Sequence, residues 1–467
     1  MATYTQEQAI GHTSDLADST TSAAAGAMSG KQPARKRAKR DLEANHESPV
    51  VTEAKLVDDG SIGVGGRSLH AYRGTPTELS GVEIERALRR WQDRGAHFPF
   101  AAVLAHYQAV GRNSVRPNVA AMLRDIHGGL RDDPLLAAWL PMTFDMDHGT
   151  YSTYVGLDYF DHVVRSADCE RVDAYIAAAA IDLALLEARA AEASPRRPQL
   201  ARLRAATRVV TQLAQFAPEC TLDPNLAATG TAALAHADCH YQEFACAAAS
   251  ALESLPTDIV TAVRLTLLPT TRLHDEQMFI RSIQIFEGLY RQTATAISSA
   301  TRNLLAGETA LAADCLDGAS GRLEAIPMLF RVLTTMPIEA FSVIRGFTDG
   351  RSAVQSRAYR EIQFSCAPPD RDHMQHIQNI QNVHHIDAGE VTLQEAYLTT
   401  QSTLADAVHL EQSMRRLDRA WGAMKRGHWG ITLKIIGSVP GTGGTAGASY
   451  LQTAAKASLF PGLPEAA

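Results

Sequence analysis

A chain of 467 residues with a formal net charge of −7 lacks the Lys and Arg excess that general binding to nucleic-acid phosphates requires. Its 45% hydrophobic and 20% charged residues suit a globular protein with a sizeable core, and no apolar run reaches the ~20 residues of a membrane span. A nucleic-acid coat, a membrane-spanning bundle and a wholly disordered chain are excluded.

The N-terminus carries polar residues where a secretory signal needs an apolar segment, so the expected location is the cytoplasm. Residues 1–60 are rich in Ala, Ser, Thr and Gly without hydrophobic periodicity and read as a disordered tail. The basic run "KQPARKRAKR" at 31–40 has two readings, an import signal or nucleic-acid arm and a merely solvated charge run, of which the second is the commoner.

From about residue 81 the pattern is helical. "DAYIAAAAIDLALLEARAAEA" (173–193) is Ala/Leu/Glu-rich with apolar residues at helical spacing, and similar stretches run through 199–216, 243–254, 274–305, 320–334, 393–419 and 411–437. Strand-like alternation is scarce, so the expected fold is all-α. Turn signals fall at 60–68, 193–199, 217–225 and 366–372. No repeat of 20–50 residues is visible. The expected organisation is a tail (1–60), an N-terminal helical region (61–255) and a second helical unit (256–467). Six cysteines are scattered without a CxxC pair, which predicts reduced, mostly buried thiols and neither a zinc site nor a disulfide framework.

Five stretches bear on chemistry. In "LHDEQMFIRSIQIFEGLYRQ" (273–292), Phe279, Ile283, Phe286 and Tyr290 form one helical stripe, with His274, Asp275 and Glu276 in the first turn. This is either an ordinary core helix with acidic residues complementing the dipole or one wall of a flat pocket. "MPIEAFSVIRGFTDGRSAVQSRAYREIQF" (336–364) carries Arg345, Arg357 and Arg360; any of the three could hold a carboxylate as a bidentate pair, and spacing alone does not choose among them. His373, His376, His384 and His385 form either a metal cluster or a polar surface connection, the reading that the Asn and Gln around them favour.

The fourth stretch, "SMRRLDRAWGAMKRGHWGITLKIIG" (413–437), places Met414, Leu417, Trp421, Met424, His428, Ile431 and Ile435 on one helix face. His428 is then either a hydrogen-bonded core histidine or an axial haem ligand, a role that suits a neutral imidazole in apolar surroundings. The fifth, "VPGTGGTAGASYL" (439–451), formally fits a dinucleotide-binding glycine pattern through Gly441, Gly443 and Ala446. That pattern must follow a strand and open a βαβ unit, whereas a helix precedes it here, and the Lys-Ser/Thr of a P-loop is missing.

Three motifs in order resemble the haem-dependent tryptophan 2,3-dioxygenase and indoleamine 2,3-dioxygenase superfamily: "HDEQMFIRSIQIFE", "TTMPIEAFSVIRGFTDGRSAVQSRAYRE", and His428 with "IIGSVPGTGGTAGASYL". They span about 274 to 455. The resemblance implies a helical bundle enclosing a b-type haem, with the N-terminal helices as an extension. It puts His428 at the axial position on the haem iron and O2 as co-substrate. Arg360 falls on a residue pairing with the substrate carboxylate, and Thr442, with Gly441 and Gly443 beside it, on the one holding carboxylate and ammonium. Phe279 falls on a wall of the indole pocket and Tyr359 on a neighbouring position; no residue is assigned as acid or base. Ile283 stands where the family's tryptophan dioxygenases carry a distal histidine and the indoleamine branch a serine, so a hydrogen bond to an indole N–H is lost there.

The implied function is oxygen insertion into tryptophan or a related indole amino acid, giving an N-formylkynurenine-type product. The implied partner is a small aromatic amino acid, with neither nucleic acid nor membrane, and the family includes both monomers and homo-oligomers. Two other readings stand beside it: rearrangement of a tryptophan derivative, as in the similar monodechloroaminopyrrolnitrin synthase, and a haem sensor or helical scaffold without turnover.

Overall fold

The computed structural model describes residues 80–94, 97–130, 133–144, 149–164, 169–220, 222–235, 240–348, 355–368, 391–401, 407–435, 437 and 447–463. The tail with its basic run, the four-histidine segment and the glycines and threonine at 441–443 lie outside these residues. Among the described residues there are nineteen α-helices and no strand, the all-α fold that the periodicity predicts.

In chain order the helices are α1 (Gly81–Arg94), α2 (Phe100–Val110), α3 (Pro117–Gly129), α4 (Pro134–Trp139), α5 (Tyr151–Val155), α6 (Leu157–Val164), α7 (Cys169–Ala193), α8 (Arg197–Phe216), α9 (Pro224–Ala235), α10 (His240–Ser254), α11 (Thr257–Leu265), α12 (His274–Leu305), α13 (Thr309–Ala325), α14 (Pro327–Leu333), α15 (Ile338–Thr348), α16 (Arg357–Cys366), α17 (Leu393–Thr400), α18 (Ala407–Ile435) and α19 (Ala448–Ala454).

Helices α1 to α4 pack around Ile84, Leu88, Tyr107, Leu123 and Trp139, a core to which Tyr159 of α6 and Ala262 and Leu265 of α11 also belong. The Trp139 indole N–H donates to the Leu265 carbonyl at 2.9 Å, fastening α4 to α11. Helix α7 is buried on every side over most of its length, as a helix apolar all round must be. Its alanines let neighbours approach, and Gly288 of α12 answers them: a Cβ there would lie 2.6 Å from the Ile176 side chain.

The three charges that α7 carries inward each meet a partner. Asp182 pairs with Arg281 at 2.7 Å, Glu187 with His274 at 3.0 Å and Asp173 with Arg322 at 3.3 Å. Buried charge is tolerated only when paired in this way. The polar first turn of α12 is accordingly built into the tertiary structure. Beyond the His274 contact, Asp275 pairs with Arg202 at 2.7 Å, and the Glu276 carboxylate accepts from Thr270 N, Thr271 N, Thr271 Oγ1 and Tyr154 Oη.

Three expectations need correction. The stretch 320–334 is two helices, because Pro327 lacks an N–H and its ring clashes with the preceding turn; the chain restarts with Pro327 in the first turn of α14. The stretch 393–419 is divided between α17 and α18. The thiols are not mostly buried: Cys220 and Cys366 are, Cys315 is half-buried, and Cys169 and Cys246 are exposed, none of these five in a disulfide.

Candidate active site

Helices α12 and α18 both pack closely on α13 and make little backbone approach to each other. Their apolar stripes face one another across the space between. On α18, Met414, Leu417, Trp421, Met424 and Ile431 are buried, as the spacing predicts. On α12, Phe286 and Tyr290 are buried, while Phe279 and Ile283 each keep some accessible surface. Helices α14 and α16 close the sides.

Aromatic contacts line this recess. The His428 ring stacks on Phe330 of α14, with centroids 5.7 Å apart and planes 8° from parallel. Phe330 meets Phe286 at 5.1 Å, and Phe286 stacks on Tyr290 at 6.2 Å. Tyr290 meets Tyr359 of α16 edge-on at 5.5 Å, and Tyr359 lies 4.6 Å from Trp421. The Tyr290 hydroxyl reaches Met424 Sδ at 3.5 Å. Gly427 permits the His428 stack, since a Cβ there would sit 3.0 Å from the Phe330 ring.

His428 is surrounded by protein, and burial pushes its pKa down to about 4, while the residue as a whole keeps some accessible surface. It is neutral at neutral pH, with a ring-nitrogen lone pair free for a metal. One turn earlier, burial lowers Lys425 to about 8; its Nζ donates to the Ala457 carbonyl at 2.6 Å and lies 5.4 Å from the Trp421 ring.

The three arginines separate clearly. Arg357 is exposed and pairs with Glu361 at 2.7 Å. Arg360 is 2% exposed, donates through Nη1 to Gln363 at 2.9 Å and lies 5.4 Å from the Tyr359 ring. Its Nε has no hydrogen-bond partner, and among the described residues no carboxylate neutralises it. Arg345 is half-buried and four residues from Phe341 on α15, hence on the same helix face. The Phe341 ring meets Phe279 edge-on at 6.1 Å.

The Phe279 end is apolar. Phe279 and Ile283 pack with Leu157 against Tyr151, Tyr154, Val155, Leu267 and Ile280, so α5 covers this end. The Thr150–Thr153 capping box starts α5, and Gly156, at φ 83°, stops it. Gly156 has no room for a side chain either, because a Cβ would lie 2.9 Å from Thr266 and Met142 side-chain atoms.

Sequence reasoning missed Phe330, Tyr151, Ser356 and any role for Glu287. The Glu287 carboxyl is buried, and burial above all raises it to about 7. It accepts from Tyr151 Oη at 2.7 Å and from Ser356 Oγ at 3.0 Å. A Ser three residues before a helical Tyr signals an N-cap, and Ser356 does accept the Tyr359 N–H at 3.2 Å; nothing local points from there to Glu287.

Among the described residues the protein is thus helical, with a run of aromatic contacts, a neutral imidazole at His428 and a buried guanidinium at Arg360 that no described carboxylate neutralises. No protein-family model matches the chain. Comparison with curated proteins finds tryptophan 2,3-dioxygenases. That of Nocardioides sp. is 26% identical over 223 residues, covering 40% of this chain and 82% of the relative. That of Bradyrhizobium diazoefficiens is 27% identical over 242 residues (42% and 84%), and that of Polaromonas sp. 24% over 233 residues (41% and 79%). Over about two fifths of its length the chain is thus similar to tryptophan 2,3-dioxygenases.

Proposed function

We propose that this protein is a haem-dependent dioxygenase acting on tryptophan or a related indole amino acid. The observation that carries the reading is the His428 imidazole, held neutral by burial and stacked on Phe330 at one end of a chain of aromatic contacts. The similarity to tryptophan 2,3-dioxygenases supports it.

The residues fit a haem. His428 would hold it through a ring nitrogen, Phe330 and Phe286 would offer flat apolar walls, and the buried Arg360 would be a partner for a carboxylate. When bound, the haem iron supplies O2 binding and activation. The protein contributes orientation, exclusion of water and charge. Phe279 and Ile283 offer an aromatic ring an apolar seat under α5, which fixes the ring by contact. Thr442, with Gly441 and Gly443 beside it, belongs to this proposal through the resemblance, which assigns it to the amino-acid group.

The resemblance assigns the substrate carboxylate to Arg360. Spacing along α12 supports a second reading. Phe279 and Tyr290 are eleven residues apart, about 16 Å at helical rise, and Arg360 stands at the Tyr290–Tyr359 end. A ring seated on Phe279 leaves its carboxylate nearer Arg345, beside Phe341, with Arg360 then holding a carboxylate of the haem. Ile283, which neither donates nor accepts a proton, keeps the rearrangement of a tryptophan derivative as the alternative reaction.

Haem titration of the purified protein, followed by turnover under labelled O2 with mass spectrometry of the product, tests the reading. A Soret band and two labelled oxygen atoms in a ring-opened product are expected. Absence of haem binding would sink it, and loss of carboxylate with a rebuilt ring would favour rearrangement.

A further inference from the structure

Glu287 lies outside the chemistry proposed above, yet it joins two walls of the recess. Its Oε1 accepts from Tyr151 of α5, the helix over the Phe279 end, at 2.7 Å. Its Oε2 accepts from Ser356 at 3.0 Å. Ser356 is the N-cap of α16, and the same Oγ accepts the Tyr359 N–H. One carboxylate on α12 therefore holds both the lid over the Phe279 end and the start of the helix that presents Tyr359 and Arg360.

We propose that Glu287 is a positioning residue: ionised, it accepts a hydrogen bond from each hydroxyl and locks α5 and the α16 N-cap in place, and protonated, it can no longer accept from both, so that one tie is reversed and both lose their charge-assisted strength. The reason is donor counting. A carboxylate accepts from two hydroxyls without conflict. A carboxylic acid must place its own proton, and the partners that hold it here are Tyr151 Oη and Ser356 Oγ. If Ser356 takes it, the serine ceases to donate to Glu287 while still serving the Tyr359 N–H. If Tyr151 takes it, the tyrosine's own proton loses its acceptor. Either way one of the two ties changes direction.

The surroundings make this proton exchange accessible near neutrality. Burial raises Glu287 to about 7, and Asp161 of α6 and Glu361 of α16 push in the same direction, while the Tyr151 and Ser356 hydroxyls lower it. Tyr290 faces it from its own helix. Asp161 is itself held by Arg291 of α12. That Arg360 serves a carboxylate ligand rests on the function proposed above; the tie between Glu287, Tyr151 and Ser356 does not, and it is measured without haem or substrate.

The test is hydrogen exchange of peptides covering 355–366, with an infrared titration of the buried carboxyl, on the full chain as purified. In the wild type, exchange at the start of α16, corrected for its intrinsic pH dependence, should quicken as pH falls through neutrality, in step with the carboxyl signal. Glu287→Gln has the shape of the protonated acid and should exchange at the fast rate at every pH, with that infrared signal gone. Tyr151→Phe removes one donor to the ionised form and should move the titration midpoint upward. In haem-loaded enzyme, the wild-type KM should rise on the acid side with the loss of the competent fraction, by about tenfold per pH unit at most, and be flat in Glu287→Gln. An α16 exchange profile that is the same in Glu287→Gln and wild type overturns the proposal, as does a Tyr151→Phe midpoint that does not move. Failure of haem binding with the exchange results intact would overturn only the function proposed above.

Discussion

Arg281 of α12 and Asp182 of α7 form an ion pair at 2.7 Å with the guanidinium fully buried. Arg281 also donates to Gln284, whose amide reaches the Val155 and Thr266 carbonyls. The pair therefore fixes α12 against α7 and, through Gln284, against the end of α5, two residues from Ile283. Replacing Arg281 by Met leaves a buried carboxylate unpaired and should cost about 3–5 kcal/mol, whereas the double replacement with Asp182→Leu should recover most of it. Urea denaturation measures both. A single variant within about 1 kcal/mol of wild type would show that Asp182 finds water or another partner.

His428 should control both haem binding and acid stability. Its pKa is depressed to about 4 from a usual value near 6.5, so the unfolded chain takes up the proton first. The stability that depends on its neutrality is present above pH ~6.5 and is lost as pH falls toward about 4. His428→Phe should flatten that limb of the stability profile, and His428→Ala should abolish the ferrous haem spectrum. An unchanged spectrum in the alanine variant would remove it as axial ligand.

The three arginines should give three phenotypes. Arg357→Met disrupts an exposed i,i+4 pair and should change stability by less than about 0.5 kcal/mol without effect on ligands. Arg360→Met and Arg345→Met should each weaken one carboxylate contact, a charged hydrogen bond of about 1.5–3 kcal/mol, or roughly 10- to 150-fold. Separate titrations with haem and with tryptophan assign them. If Arg360→Met weakens haem and leaves tryptophan binding intact, Arg345 is the substrate's partner.

Ile283 predicts indifference to the indole N–H. Wild type should bind tryptophan and 1-methyltryptophan within a few-fold of each other, since the Ile283 side chain can neither donate nor accept a hydrogen bond. Ile283→His should introduce discrimination in favour of the N–H, by about 1 kcal/mol or roughly fivefold. Strong discrimination in the wild type would mean that Tyr151 or Tyr154 already reads that group.

Much of the recess was legible because it is written along single helices. The stripe from Met414 to Ile435 and the stripe from Phe279 to Tyr290 follow from the 3.6-residue period, and the structure buries most of both, leaving Phe279, Ile283, His428 and Ile435 partly accessible. The pairings across helices were not legible. Glu287 meets Tyr151 and Ser356 at sequence separations of 136 and 69, and no local pattern specifies such partners. His274, Asp275 and Glu276 resembled an ordinary acidic helix start, because dipole complementarity and three specific tertiary contacts ask for the same residue types. Pro327 was a readable breaker passed over because apolar spacing continues across it.

Helix α13 contributes no ring and no charge to the recess, yet α12 and α18 both rest on it. Its buried face is mostly small: Ala312, Ala313, Ala319 and Ser320, with Leu316 and Leu323 between. It acts as a shim whose thickness sets how far apart the two lined walls stand. On the proposed function, residues that no substrate touches would then help to set its size, and a few added methyl groups on α13 would be the way to part the two walls while leaving their lining residues in place.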